Sequence, residues 1–258
     1  IAVTDDETLD TSSGTVLSGV ILKAPQGATV VTPTTTLMQD GGLTAAEVAA
    51  VLGLPEGVDP LTFNPFDIDE TDPAQVANAL AVEKISVQVM SAVTAFAAAA
   101  EGAGASEAAA FTAALNSIVE VVKAKAAKLT DETASDAEKS LDLTSATDLA
   151  EITAQAKIAA GNIAGVNTDA FDALADATAT SVENVNDAVA LMDDLTSDAS
   201  KNILSIVQVN ADDIKGAVTD EANSAGSGSI AFTDAGEVTT AASNAAPEAI
   251  ALSENEIS

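Results

Sequence analysis

Asp72-Pro73-Ala74-Gln75-Val76-Ala77-Asn78-Ala79-Leu80-Ala81-Val82-Glu83-Lys84-Ile85-Ser86-Val87-Gln88-Val89-Met90 opens the longest helical pattern in this chain, and its reading decides the fold. Asp72 is a good N-cap, because its carboxylate can accept from the first free amides, and Pro73 has the φ that a first helical position needs. Across 73–100, Val82, Ile85, Val89, Val93 and Phe96 make one apolar stripe. Val76, Leu80, Val87 and Met90 make a second. A helix that is apolar on two faces has to be covered on both sides, so this segment is expected at the centre of a bundle. Gly102 and Gly104 end it.

The covering helices follow downstream. Ser106 precedes a stripe of Phe111, Leu115, Ile118, Val122 and Leu129, with Lys123, Lys125 and Lys128 in the last turns, where cations suit the helix dipole. Ser145 with Asp148 opens Leu149, Ile152, Ala156, Ala159 and Ile163. Thr168 precedes Phe171, Leu174, Thr178, Val182, Val185, Val189 and Met192, in steps of three and four. Ser197 caps a last helix, which runs to about Asn223 through Ile203, Ile206, Ile214 and Val218. Asn210 lies near its seam, where a buried Asn can fix helix register. Upstream, Thr44 and Glu47 form a capping box ahead of Val48, Val51 and Leu52, and a proline-containing loop occupies 54–72.

The ends differ. Val16–Leu22 and Ala28–Thr32 are β-branched runs around Pro25-Gln26-Gly27, which predicts a small hairpin or β-pair whose second run ends at Pro33. Ala225-Gly226-Ser227-Gly228-Ser229 reads as a flexible break, Ile230-Ala231-Phe232-Thr233 as strand-like, and 246–255 as extended. The expected fold is therefore mainly α: a multi-helix bundle of long amphipathic helices with a small N-terminal β element and extended termini. Its divisions are 1–43 (β element), 44–224 (bundle) and 225–258 (linker and start of a β segment). The opening Ile1-Ala2-Val3 suggests an excised segment or a processed product.

Composition narrows the function. The 258 residues carry 40 acidic and nine basic side chains, a formal charge of -31, and all nine cations are lysine. Without His, Cys or Arg, the chain lacks an imidazole base, a thiolate and a guanidinium clamp, and an enzyme is not expected. The charge repels nucleic acid and anionic lipid, and no apolar run suggests membrane insertion. It attracts hard cations, Ca²⁺ above all.

Ala24-Pro25-Gln26-Gly27-Ala28-Thr29-Val30-Val31-Thr32-Pro33-Thr34-Thr35-Thr36-Leu37 resembles the "APxGATVVTPLTTL" stretch of very large bacterial surface adhesins and type I-secreted, RTX-like calcium-binding proteins. In those proteins a short helix and an "LGLPxGVD" turn follow, matched here by Leu52-Gly53-Leu54-Pro55-Glu56-Gly57-Val58-Asp59. Asn244–Ser253 is similar to the opening strand of their cadherin-like sandwich repeats. The resemblance implies a non-catalytic spacer at the bacterial cell surface, with β-sandwich modules as neighbours and Ca²⁺ as the associated ion. No Gly-Gly-x-Gly-x-Asp nonapeptide occurs, so the calcium sites of those repeats do not carry over. The alternative is a subunit of an extracellular filament or layer, in which copies of the chain pair through their extended termini.

Asp67, Asp69, Thr71 and Asp72 offer oxygen ligands at alternating positions, as a calcium loop does. The competing reading is an acidic loop that enters a helix with Asp72 as its cap. Asp5, Asp6, Glu7 and Asp10 stand as a junctional calcium site against a solvated acidic linker, and Glu254 and Asn255 as part of a following boundary. Asp193-Asp194 and Asp212-Asp213 are adjacent on helices and face no common point, so they read as solvated. Lys84 and Lys157 read as snorkelling surface lysines. The threonines of 29–36 are too few, and too interrupted by Pro33, to form an ordered ice-binding array.

Overall fold

The computed structural model describes residues 1–3, 20–194 and 197–241. Helices dominate them. In chain order they are α1 (Pro33–Gly41), α2 (Ala45–Leu52), α3 (Pro73–Gly102), α4 (Glu107–Ala126), α5 (Asp136–Lys139), α6 (Ala146–Gly161), α7 (Thr168–Ala190) and α8 (Asp198–Asn223), with further helical residues at 235–241. The β part is one antiparallel pair of two-residue strands, β1 (Ala2–Val3) and β2 (Ile21–Leu22).

At 30 residues, α3 is the axis of the molecule. It packs against α4, α7 and α8, while α4 meets α6 and α6 meets α7, so α3, α4, α6 and α7 close a ring. Helix α8 lies along α3 and α7, and α1 and α2 cover α4. Of the two stripes read in α3, the first is buried apart from the partly buried Ile85, whereas the second is only partly covered, with Val76 exposed and Leu80, Val87 and Met90 half-buried. The second half of α3 is almost all small: Ala92, Ala95, Ala97, Ala98, Ala99 and Ala100 are buried around Val93 and Phe96. Small side chains let helix axes approach closely, which gives a thin, dense core with few large groups. At Gly102 the approach is closest. A Cβ there would stand 2.5 Å from the Lys215 carbonyl oxygen and 2.9 Å from the Val218 Cβ, both on α8. By length and composition α3 is apolar enough to cross a membrane, at mean hydropathy 1.3, which run length alone did not indicate; 44% of that apolar window is buried within the bundle.

Three elements depart from the sequence expectation. Residues 20–22 and 28–32 do not pair with each other: Ile21 and Leu22 pair with Val3 and Ala2, and 28–32 is irregular chain. Pro33 starts a helix there. Thr32 is its N-cap, in a reciprocal box with Thr35, and Thr34, Thr35 and Thr36 are buried in its first turn. The Thr35 and Thr36 hydroxyls both donate to the Lys23 carbonyl, at 2.9 and 3.1 Å, and so tie α1 to the end of β2. Threonine's strand preference lost to its capping chemistry. At the other end, 225–229 is a held turn, and Ile230–Thr233 forms no strand. The Glu221 carboxylate accepts from the amides of Gly226 (2.7 Å) and Gly228 (3.1 Å), and Gly228 packs so closely that an added Cβ would lie 2.5 Å from the Ala217 carbonyl oxygen. Beyond it, Phe232 and Val238 join Val185 and Ile206 in a second, smaller core. The first part of the β-branched run, residues 16–19, and the extended stretch 246–255 lie outside the described residues.

Buried polar links cross the bundle. Lys125, read as a dipole-facing cation, is instead 3% exposed and pairs with Asp148 at 2.8 Å. The other Asp148 oxygen accepts from the Asp142 amide at 2.7 Å, and Lys125 also donates to the Ala137 carbonyl at 3.2 Å. Asp148 therefore holds α4 to α6 rather than capping α6. Asn210 is buried and accepts from the buried Ser181 hydroxyl, which links α8 to α7 as a register-setting Asn would. Asn186, on α7, donates to the Leu143 carbonyl at 2.9 Å, and Gln88, on α3, donates to the Asn186 carbonyl at 3.2 Å.

Two substitutions test this packing. Asp148→Ala leaves the buried Lys125 ammonium with only the half-exposed Glu151 carboxylate, at 3.7 Å, as counter-charge and is expected to cost up to about 3 kcal/mol, whereas the double change Lys125→Met/Asp148→Leu costs less. Gly102→Ala is expected to cost about 1–3 kcal/mol through overpacking against α8. Urea unfolding followed by circular dichroism measures both.

Candidate functional site

The acidic loop that leads into α3 is built from side chain-to-backbone bonds. Asp69 accepts from the Thr71 amide at 2.9 Å and from the Thr71 hydroxyl at 2.6 Å. Asp72 accepts from the Ala74 amide at 2.9 Å and the Gln75 side-chain amide at 3.1 Å, and Gln75 Oε1 accepts from the Asp69 amide at 3.1 Å. Hydrogen bonds from Thr71 hold the Asp69 carboxyl below its ordinary range. Those from Ala74, and then Gln75, do the same for Asp72. Asp67 is exposed on the same loop. The loop thus has the geometry of a helix entrance, with Asp72 as N-cap. Among the described residues, no group of three or more Asp and Glu side chains is placed to hold a metal ion. Asp5, Asp6, Glu7, Asp10, Glu254 and Asn255 lie outside the described residues.

The same turn recurs twice, which sequence reading missed. Asp131 binds the amide and hydroxyl of Thr133 at 2.8 and 2.7 Å, and Asp142 binds those of Thr144 at 2.9 and 2.7 Å. Each Asp-x-Thr turn stands just ahead of a helix: Asp69 before α3, Asp131 before α5, Asp142 before α6. The spacing is short and visible in the sequence; only its repetition before helix starts marks it as a device. Capping boxes at Thr44/Glu47 and Ser135/Glu138 enlist two more carboxylates. Bonds from Thr44 lower the Glu47 pKa, those from Ser135 lower that of Glu138, and the Gly226 and Gly228 amides lower that of Glu221.

The remaining sequence candidates are tied down in similar ways. Lys84 reaches the Ala190 carbonyl at 2.9 Å and so ties α3 to the end of α7, and Lys157 pairs with Asp176 at 3.1 Å between α6 and α7. Lys215 and Glu101 bond at 2.7 Å between α8 and α3, and that bond raises the Lys215 pKa. Asp213 accepts from the Ala231 amide at 2.7 Å, while Asp212 takes the Gln208 side chain at 3.2 Å; the two do not converge.

One concavity has apolar walls. It encloses 520 Å³ between the irregular chain at 30–33, the turn at 63–66, α3 and α8. Val82, Val87 and Met90 of α3 and Leu204 and Val207 of α8 line it, with Phe63, Pro65 and Phe66 opposite, and Glu83 is the only charged residue among those lining it. Phe66 stands 72% exposed at its rim. Asn64 sets it there: its side-chain oxygen accepts from the Phe66 amide at 3.0 Å, Pro65 fixes the next φ, and the Asp67 amide closes the turn on the Asn64 carbonyl at 3.2 Å. No protein-family model matches the chain, and no curated protein or solved structure is significantly similar to it.

The lowered carboxyl pKa values fix the sign of the acid response. Each such group contributes stability above its ordinary value, 4.5 for Glu47, Glu138 and Glu221 and 3.8 for Asp69, Asp72 and Asp131, and loses it as pH falls through the lower folded value. Relief of charge repulsion acts in the opposite direction as the other carboxylates protonate. Thermal midpoints measured against pH are therefore expected to hold or rise from neutrality to about pH 5 and then to fall steeply. Glu221→Gln, uncharged throughout, should sit below the parent at pH 7 and converge with it at pH 3.

Proposed function

We propose that this chain is a non-catalytic spacer domain of a large exported bacterial adhesin, acting outside the cell between neighbouring β-sandwich modules. The observation that carries this reading is how the polar side chains of the described residues are used. Carboxylates and hydroxyls that could face a ligand bind the chain's own amides at helix entrances, and lysines tie one helix to another. Such a device favours holding a shape over turning over a substrate. The resemblance of 24–37 and 52–59 to segments of giant surface proteins supports the same setting. Calcium belongs to this reading as a counterion that relieves a charge of -31. One oxygen of Asp69 and both of Asp72 are engaged in their turns, which favours a response distributed over the surface above one seated in the 67–72 loop.

Sedimentation from micromolar to millimolar protein, with and without calcium, tests the proposal. A monomer at all concentrations is expected, whereas concentration-dependent polymers would assign the chain to a filament or surface layer instead. Thermal melts in calcium and in EDTA at matched ionic strength are expected to show a higher midpoint with calcium, retained in Asp69→Asn. Loss of that response in the variant would make the loop a specific calcium site.

A further inference from the structure

We propose that the groove between the 63–66 turn and helices α3 and α8 docks an extended segment of another protein, one that alternates apolar side chains with lysine or arginine. The first ground is Phe66. Phe96, Phe111, Phe171 and Phe232 are each at most 6% exposed, yet Phe66 is 72% exposed beside an apolar concavity. An aromatic ring left in water by a rigid Asn-Pro turn is a preorganised anchor, because docking onto it costs little loop ordering.

The second ground is shape. A cavity of about 150 Å³ holds a benzene-sized group, and this one encloses 520 Å³, room for a few aliphatic side chains. Two walls are helices, but the facing wall is irregular chain at 30–33 and 63–66, which makes a slot rather than a helix-wide trough. An extended segment fits a slot, since alternate side chains point in and the others point out to solvent.

The third ground is charge. Asp67, Asp69 and Glu70 follow Phe66 directly and are exposed, Glu83 lies in the lining, and no lysine does. The bonds that Asp69 accepts from Thr71 leave its negative charge in place. On a chain of net charge -31, a second copy would bring like charge to this rim, whereas outward-pointing cations of a docked strand would be drawn to it. The charge therefore selects a cationic partner over self-association.

Fluorescence anisotropy with a labelled Leu-Lys octapeptide of strict alternation tests the proposal, with the Leu-Glu counterpart as its control. Saturable one-to-one binding of the lysine peptide is expected, at least tenfold tighter than the glutamate peptide. Phe66→Ala should weaken it at least tenfold, and Ser86→Trp, which fills the slot from α3, should do likewise. Leu191→Ala, 82% exposed and outside the lining, should leave binding unchanged. Absent or non-saturating binding, equal binding of the two peptides, or full binding by both groove variants with native circular dichroism would overturn the proposal. So would a dimer of the unliganded protein that Phe66→Ala dissolves, because the groove would then belong to a second copy.

Discussion

The close approach of α3 to its neighbours is the constraint on which the rest of the structure depends. A chain with six Phe and neither Trp nor Tyr cannot build a deep aromatic core. It fills its interior by bringing backbones together over alanine, so dispersion contacts come from many small atoms at short range. This explains why the ring of α3, α4, α6 and α7 needs polar cross-links. Thin interfaces between alanine faces do little to fix axial position, and the pairs Lys125–Asp148 and Ser181–Asn210 supply the register that large interlocking side chains would otherwise give. It also explains Gly102, where even one methyl group has no room beside α8.

The same chain has to fold against its own charge. Forty carboxylates face nine ammonium groups, so most acidic side chains have no cation to meet. Many instead meet backbone amides. The Asp-x-Thr turns, the capping boxes and the Glu221 clamp all place negative charge at unsatisfied N–H groups, several of them at helix starts, where the dipole also favours it. These contacts are local in sequence and make few demands on the core. A composition that looks hostile to compaction thus becomes a supply of helix starts and turn closures.

How much of this was legible depended on the length of the signal. Helices α3, α4, α6, α7 and α8 were readable because stripes of four or more apolar residues recur at helical spacing in elements of 16 residues or more. Short elements were not. Thr32-Pro33-Thr34-Thr35-Thr36 has strand-like composition, and only the reciprocal bonding of Thr32 and Thr35 makes it a helix start. The 225–229 turn looks flexible until Glu221, a turn earlier on α8, supplies its acceptor. At the candidate sites, the sequence named Asp72 as a cap and listed Asp69 and Thr71 as ligands, while the geometry has them bonding each other. The groove was invisible because its walls come from chain positions more than a hundred residues apart, with Val31 and Phe66 on one side and Leu204 and Val207 on the other. Three-dimensional adjacency of that kind leaves no local pattern.

The turn at Phe66 joins these themes. The Asn64-Pro65-Phe66-Asp67 turn and the Asp69 turn are consecutive, and both use a side-chain oxygen to hold an amide two residues on. The loop is thereby fixed without a core of its own, and it ends at the N-terminus of α3, the longest helix among the described residues. A ring carried on such a loop is held by the framework rather than by its own burial, so its exposure is not a sign of poor packing. In a structure that buries Phe96, Phe111, Phe171 and Phe232 and commits so many carboxylates to its own amides, the rigid presentation of Phe66 to solvent is the exception. The acidic residues that fix the loop follow the ring directly in the chain, so the local chemistry that builds the entrance to α3 also brings negative charge next to the adjoining groove.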